Sequence, residues 1–189
     1  MSEVPQQQPT GRPGGYQRST NGLVGALVII VVVILAFVGF RALTRDTPDV
    51  QPTRVDYLGA VQGAQATGYR VAYPASLPKG WIPDSVQVQP GRRGSFSVGM
   101  LTADGSFVGV HQEDADLTEL LHTYVDENPT EGKPVTIDSA VGDRWRTFSD
   151  SGGDHAYATE LGHQWVLVYG SADTADLRRV VSSLTTAKQ

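Results

Sequence analysis

Between Arg18 and Arg41 the chain runs for 22 residues without a charge, and its centre, Leu23 to Phe40, is almost wholly Val, Ile, Leu, Ala, Gly and Phe. At the rise of an α-helix that centre covers about 27 Å and the whole run about 33 Å, against a hydrocarbon thickness of about 30 Å. The apolar residues fall on all sides, with no stripe at a 3.6-residue period, which is the pattern of a membrane span or of a helix buried in a core. A core helix needs protein around it, and the segment before this one is polar and rich in Pro, Gly and Gln. The reading is therefore a transmembrane helix over residues 21–41.

A cleaved signal peptide fits less well. The run exceeds the usual apolar region of about 7–15 residues, and no small-residue cleavage site follows it. Phe40-Arg-Ala-Leu-Thr-Arg45 places bulky and charged residues where small ones are needed, and no cysteine is available for a lipid anchor. The segment reads as an uncleaved signal anchor. Its flanks do not orient it: Arg12 and Arg18 precede the span, while Arg41, Arg45 and Arg54 follow it. That balance leans slightly against a cytoplasmic N-terminus, but long domains cross largely regardless of charge. Dimerisation through the span has thin support, one small pair at Gly22 and Ala26.

The rest of the chain divides by composition. Residues 1–20 read as a disordered tail, since prolines, glycines and a Gln run leave little to bury. Residues 42–56, with Pro48 and Pro52 among mixed charges, read as a stalk. Residues 57–189 are long enough for a domain with its own core. That domain carries ten basic against sixteen acidic residues, a net charge of −6. Such a balance argues against nucleic acid as a partner. The basic pair Arg92-Arg93 in its turn is too small to reverse it.

Periodicity gives an α+β class dominated by antiparallel sheet, with two or three packed helices. Val55 to Ala66 reads as a first helix or turn, and Tyr69 to Tyr73 alternates like a strand. The prolines of residues 74–83 make a loop. Val86 and Val88, then Phe96, Val98 and Met100, mark strands, and Ala103-Asp-Gly105 turns the chain into Val108 and Val110. Leu117, Leu120, Leu121, Tyr124 and Val125 then share a helical face behind Asp116 as N-cap. Val135 with Ile137, and Trp145 with Thr147 and Phe148, suggest further strands. A hairpin crosses Gly162-His163, and Asp173 or Thr174 opens a last helix burying Leu177, Val180, Val181 and Leu184. Phe107-Val-Gly-Val-His111 leads to Ala115-Asp-Leu117, as Trp165-Val-Leu-Val-Tyr169 leads to Ala175-Asp-Leu177. An internal duplication would produce that parallel, and so would chance likeness of two strand-to-helix junctions.

Chemistry is sparse. His111, His122, His155 and His163 form none of the His-x-His or His-Glu-x-x-His arrangements, and read as strand, helix-surface or turn residues. Asp150-Ser-Gly-Gly153 echoes a serine-protease motif, but Ser149 stands where that motif has Gly and the chain is too short for the double barrel that uses it. No nucleophile elbow, phosphate loop or dinucleotide fingerprint is present, and without cysteine a thiolate metal site is impossible. No catalytic residue, cofactor or metal site is assigned.

Two features carry weak binding or catalytic readings. Between Gly94 and Gly132 there is no Lys or Arg, while Asp104, Glu113, Asp114, Asp116, Glu119, Asp126, Glu127 and Glu131 supply carboxylates. A helix N-terminus explains the group around Asp116 without a ligand, and the order of a calcium loop is missing. The loop Leu77-Pro-Lys-Gly-Trp81 could line a pocket, making Trp81, Leu77 and Lys79 the candidate binding residues, although a Trp docked onto the core is commoner.

Taken together, the span, Leu77-Pro-Lys-Gly-Trp81, Val108-Gly-Val-His-Gln112, Trp165-Val-Leu-Val-Tyr-Gly170 and Leu177-Arg-Arg-Val-Val-Ser-Ser-Leu184 resemble an actinobacterial membrane-protein family. That family is catalogued as domain of unknown function 4245. The resemblance implies a single-pass protein of the cell membrane with its C-terminal domain outside the cytoplasm, and it assigns no catalytic residues. The expectation is a binding or assembly module that meets an envelope protein or ligand. The alternative is an envelope hydrolase with two carboxylates facing each other across a cleft, roughly 5–10 Å apart.

Overall fold

A computed structural model describes residues 53–89, Gly91, residues 93–189 and, before them, Ile34 alone. The anchor read over residues 21–41, the tail and most of the stalk lie outside the described residues. Among the described residues no helix is long and apolar enough to cross a membrane.

Helix α1 spans Tyr57–Ala66. Strands β1 (Tyr73–Pro74), β2 (Ile82–Gln89), β3 (Ser95–Leu101) and β4 (Phe107–Glu113) follow, then helix α2 (Leu117–Tyr124). The second half holds β5 (Thr130–Glu131), β6 (Val135–Thr136), β7 (Arg144–Ser149), β8 (His155–Leu161) and β9 (Gln164–Gly170). Helix α3 (Thr174–Ser183) and β10 (Leu184–Thr185) close the domain. This is an antiparallel-sheet domain with three helices among the described residues, an α+β arrangement.

Local chemistry sets the boundaries. Asp56, Asp116 and Asp173 cap the three helices by accepting from the backbone N–H of Gly59 (3.0 Å), Thr118 (2.8 Å) and Asp176 (2.8 Å). The turn between β8 and β9 has two residues, and Gly162 takes the left-handed φ of 71° that its first position needs.

The large sheet runs β2-β3-β4-β9-β8-β7-β5, with β6 also on β7, and every neighbouring pair is antiparallel. The order mirrors about its centre, where β4 meets β9. There Val110 is paired with Val168, and the two hold the same place in the repeated segments.

Alternation sends side chains to two clusters. Val108 and Val110 of β4, Val166 and Val168 of β9 and Tyr157 of β8 join the main core, which α1 enters through Tyr57 and Val61 and α3 through Leu177, Val180 and Val181. Ala156, Ala158 and Leu167 point the other way and meet Leu117 and Leu121 of α2, with Phe148. So α1 and α3 cover one face of the sheet and α2 part of the other. The strands obey the mirrored order; the two helices that follow its halves do not.

Three sequence expectations are corrected, and the first is the loop over residues 74–83, whose ends enter strands: Pro74 belongs to β1, and Ile82 and Pro83 open β2 opposite Leu101 and Met100. Tyr69 to Tyr73 is not a strand beyond β1, because its backbone bonds to a side chain: Ala72 N–H donates to Gln112 Oε1 and Arg70 C=O accepts from Gln112 Nε2, both at 2.7 Å. The strand expected around Val135 and Ile137 shrinks to β6, and Ile137 N–H turns to Asp143 C=O at 2.9 Å.

Candidate functional site

β3 begins, β4 ends, β8 ends and β9 begins at one end of the sheet, and polar residues gather there. Gln112 closes the buried face of β4, and Gln164 opens that of β9; they are 0% and 7% exposed. Gln112 Nε2 donates to Gln164 Oε1 at 2.7 Å. Gln164 Nε2 donates to Tyr69 Oη at 3.0 Å and to Gly94 C=O at 3.1 Å. The Tyr69 hydroxyl donates to the same carbonyl at 2.8 Å. With the bonds to Arg70 and Ala72, both protons and the oxygen of the Gln112 amide are used. A buried polar network satisfied at each member rigidifies what it touches.

Over this floor lies a cleft of about 340 Å³ lined by Tyr69, Arg70, His163, Gln164 and backbone at Gly68, Gly91, Gly94 and Gly162, with Leu161 at its apolar edge. A second hollow of about 330 Å³ shares Gly68, Tyr69 and Gly91 and reaches Thr67 and Val88. Glycines on the rim let a ligand approach the backbone closely. Arg70 is exposed. His163 sits 3.9 Å from Asp114, both open to water, so the pair contributes little. Burial first, then the Glu113 and Asp114 carboxylates, push the Tyr69 hydroxyl above its usual pKa, against the opposing pull of the Gln164 amide. Tyr69 is therefore a neutral donor at neutral pH.

Among the described residues, the lining of the cleft supplies hydroxyl, amide, guanidinium and imidazole groups and no carboxylate. The carboxylates nearby have separate tasks: Glu113 holds His111 at 2.9 Å, Asp114 faces His163, and Asp116 caps α2. Among the described residues no group of three His, Asp or Glu converges as a metal site would require.

The loop residues singled out from sequence lie elsewhere. Trp81 is 4% exposed and belongs to the main core, Leu77 is half-buried against it, and Lys79 is exposed. Trp81 thus docks its loop, with Arg54 donating to its carbonyl at 3.1 Å. Sequence reasoning misses the cleft, although the chain carries a signal for it. Gln112 follows Val108 and Val110 at the strand period, and Gln164 precedes Val166 and Val168 at the same period. A glutamine on the buried face of a strand requires partners.

Layered helices about an antiparallel sheet, with a polar cleft at one end, define a small α+β domain. Residues 16–184 match the model of the family described as protein of unknown function DUF4245, and the chain belongs to that family. Comparison with curated proteins gives no match.

Proposed function

We propose that this chain is a single-pass membrane protein whose C-terminal domain acts outside the cytoplasm as a binding or assembly module of the cell envelope. The cleft over Tyr69 and Gln164 is its ligand site. The observation that carries the reading is the satisfied Gln112–Gln164–Tyr69 network, which holds a donor-rich surface rigid where two strand ends and a turn meet. Anchoring rests on the uncharged run of residues 19–40. The mirrored strand order about Val110 and Val168 is taken as the trace of a duplicated hairpin. The groups that line the cleft among the described residues, Tyr69, Arg70, His163 and Gln164, suit binding better than a paired-carboxylate hydrolysis.

Two measurements test it. A reporter active only outside the cytoplasm, fused at the C-terminus, is expected to be active; silence there, with activity of a cytoplasmic reporter, rejects the topology. Ligand-observed NMR of the full-length chain against envelope fragments (stem peptides and short glycans) should give contacts that Tyr69→Phe and Arg70→Ala weaken at least tenfold. Fragments that bind both variants as well as the native chain would move the site elsewhere.

A further inference from the structure

On the sheet face that α2 covers, His111 is buried, with a side chain 5% exposed. Its Nε2 lies 2.9 Å from Glu113 Oε2, and its ring lies 4.3 Å from the ring of Tyr124 at the end of α2. Tyr124 leans in turn on Tyr169 of β9 at 5.2 Å. Nδ1 of His111 has no hydrogen-bond partner and is the one such buried side-chain atom among the described residues. In the neutral ring this costs little, because Nε2 carries the proton to Glu113 and Nδ1 is an unused acceptor. A second proton changes the balance: Nδ1 becomes a buried donor with nothing to receive it, on a charged ring cut off from water.

We propose that His111 is an acid-sensitive latch for α2. Neutral, it lets the helix lie on the sheet; protonated at Nδ1, it favours a state in which α2 lifts and water reaches the ring. The groups facing His111 set the sign. Glu113, on its own strand, favours the charged ring. Tyr124 of α2 stays neutral, its pKa raised by burial and then by Glu113, and Tyr169 of β9 is likewise raised. Ser97, across from His111 on β3, does not titrate. Burial outweighs Glu113, so the imidazole is held below its ordinary 6.5. A histidine with a depressed folded value stabilises the closed state fully above about pH 6.5, and that stabilisation is lost as the pH falls toward the folded value. Opening exposes Leu117 and Leu121 together with Phe148, Ala158 and Leu167 beneath them, an apolar patch hidden at neutral pH.

Hydrogen–deuterium exchange of the full-length chain reads this directly. Exchange at residues 117–125 is followed from pH 7.5 to pH 5 and corrected for the intrinsic rate at each pH. Protection in α2 is expected to fall about tenfold per pH unit below 6.5 until the folded value is reached, while α3 holds its protection. In His111→Phe the α2 profile should be flat. A flat native profile, or the same fall in the variant, overturns the proposal. Should the variant fail to fold, NMR titration of His111 in the native chain replaces it. Titration below pH 6.5 with a coupled shift of the Tyr124 ring signals supports the latch; titration at or above that value, or an unmoved Tyr124, overturns it.

Discussion

Gln112 and Gln164 meet amide to amide at 2.7 Å across the two central strands, on a face that is mainly Val with Phe, Met, Tyr, Leu and Trp. Each stands where an aliphatic residue would fit the alternation, and together they bind the irregular segment over Arg70 to the sheet.

Replacing Gln112 should therefore cost more than its volume suggests. Gln112→Leu strands Ala72 N–H, Arg70 C=O and Gln164 Oε1 in the core, and a buried polar group left unpaired costs about 1–3 kcal/mol. The expected loss is about 3 kcal/mol or more, measured as a lower urea midpoint at unchanged slope. A loss below about 1 kcal/mol would mean water takes the vacated place.

Two glycines should respond with opposite signs to alanine. At Gly109 a Cβ would stand 2.6 Å from ring carbons of Tyr169, across the β4–β9 pair, so Gly109→Ala should destabilise by about 1–3 kcal/mol. At Gly63, exposed on α1, nothing lies within 4 Å, and Gly63→Ala should stabilise by about 0.5–1 kcal/mol. Thermal melts of the pair compare the two directly.

Acid titration should separate Asp116 from Asp154. The backbone N–H of Thr118 holds the Asp116 carboxyl below its ordinary 3.8, so its stabilising cap is present above that value and lost as the pH falls through the folded one. Asp154 is shifted upward, by burial and then by the Asp150 charge. Its protonated form is the favoured one, and the stability it lends at low pH is lost as the pH rises through the folded value. Asp154→Asn should therefore raise the midpoint at pH 7 and leave it unchanged near pH 3. An Asp116→Asn profile that still loses the native amount of stability in acid would exclude the cap as its cause.

Tyr169 should ionise late. Burial, then Tyr124, push its phenol up to about 12. Ultraviolet titration is expected to show a late component that Tyr169→Phe removes; a full set of tyrosines titrating near 10 would contradict the packing beneath α2.

Residues with short-range causes were legible in the sequence. Asp116 and Asp173 announce their helices because a cap acts within three residues, and Gly162 announces its hairpin because a two-residue turn needs its φ. The face each helix would take was not legible. Glu113 leaves β4 on the side of His111, whereas Gly170 leaves β9 on the side of Val166 and Val168. Connectors of similar length thus deliver α2 and α3 to opposite faces, by a parity that no local pattern carries. Two-residue strands such as β5 and β10 have no periodicity to read. The cleft joins a helix end, two strand ends and a turn, and only pairing brings Tyr69 beside Gln164. Trp81 shows the converse: an aromatic set in Pro and Gly suits a docked loop as well as a pocket.

The pairing of β1 with β10 has a consequence for how the chain can be assembled. Tyr73 is tied to Ala187 at a separation of 114 residues, and β4 finds its inner neighbour only in β9. Neither hairpin-and-helix half completes a sheet by itself. Loop closure over such distances is slow, so folding is governed by non-local contacts. A chain emerging N-terminus first stays open along β4 until Gly170 is free, and through that interval its apolar strands need shelter from other chains.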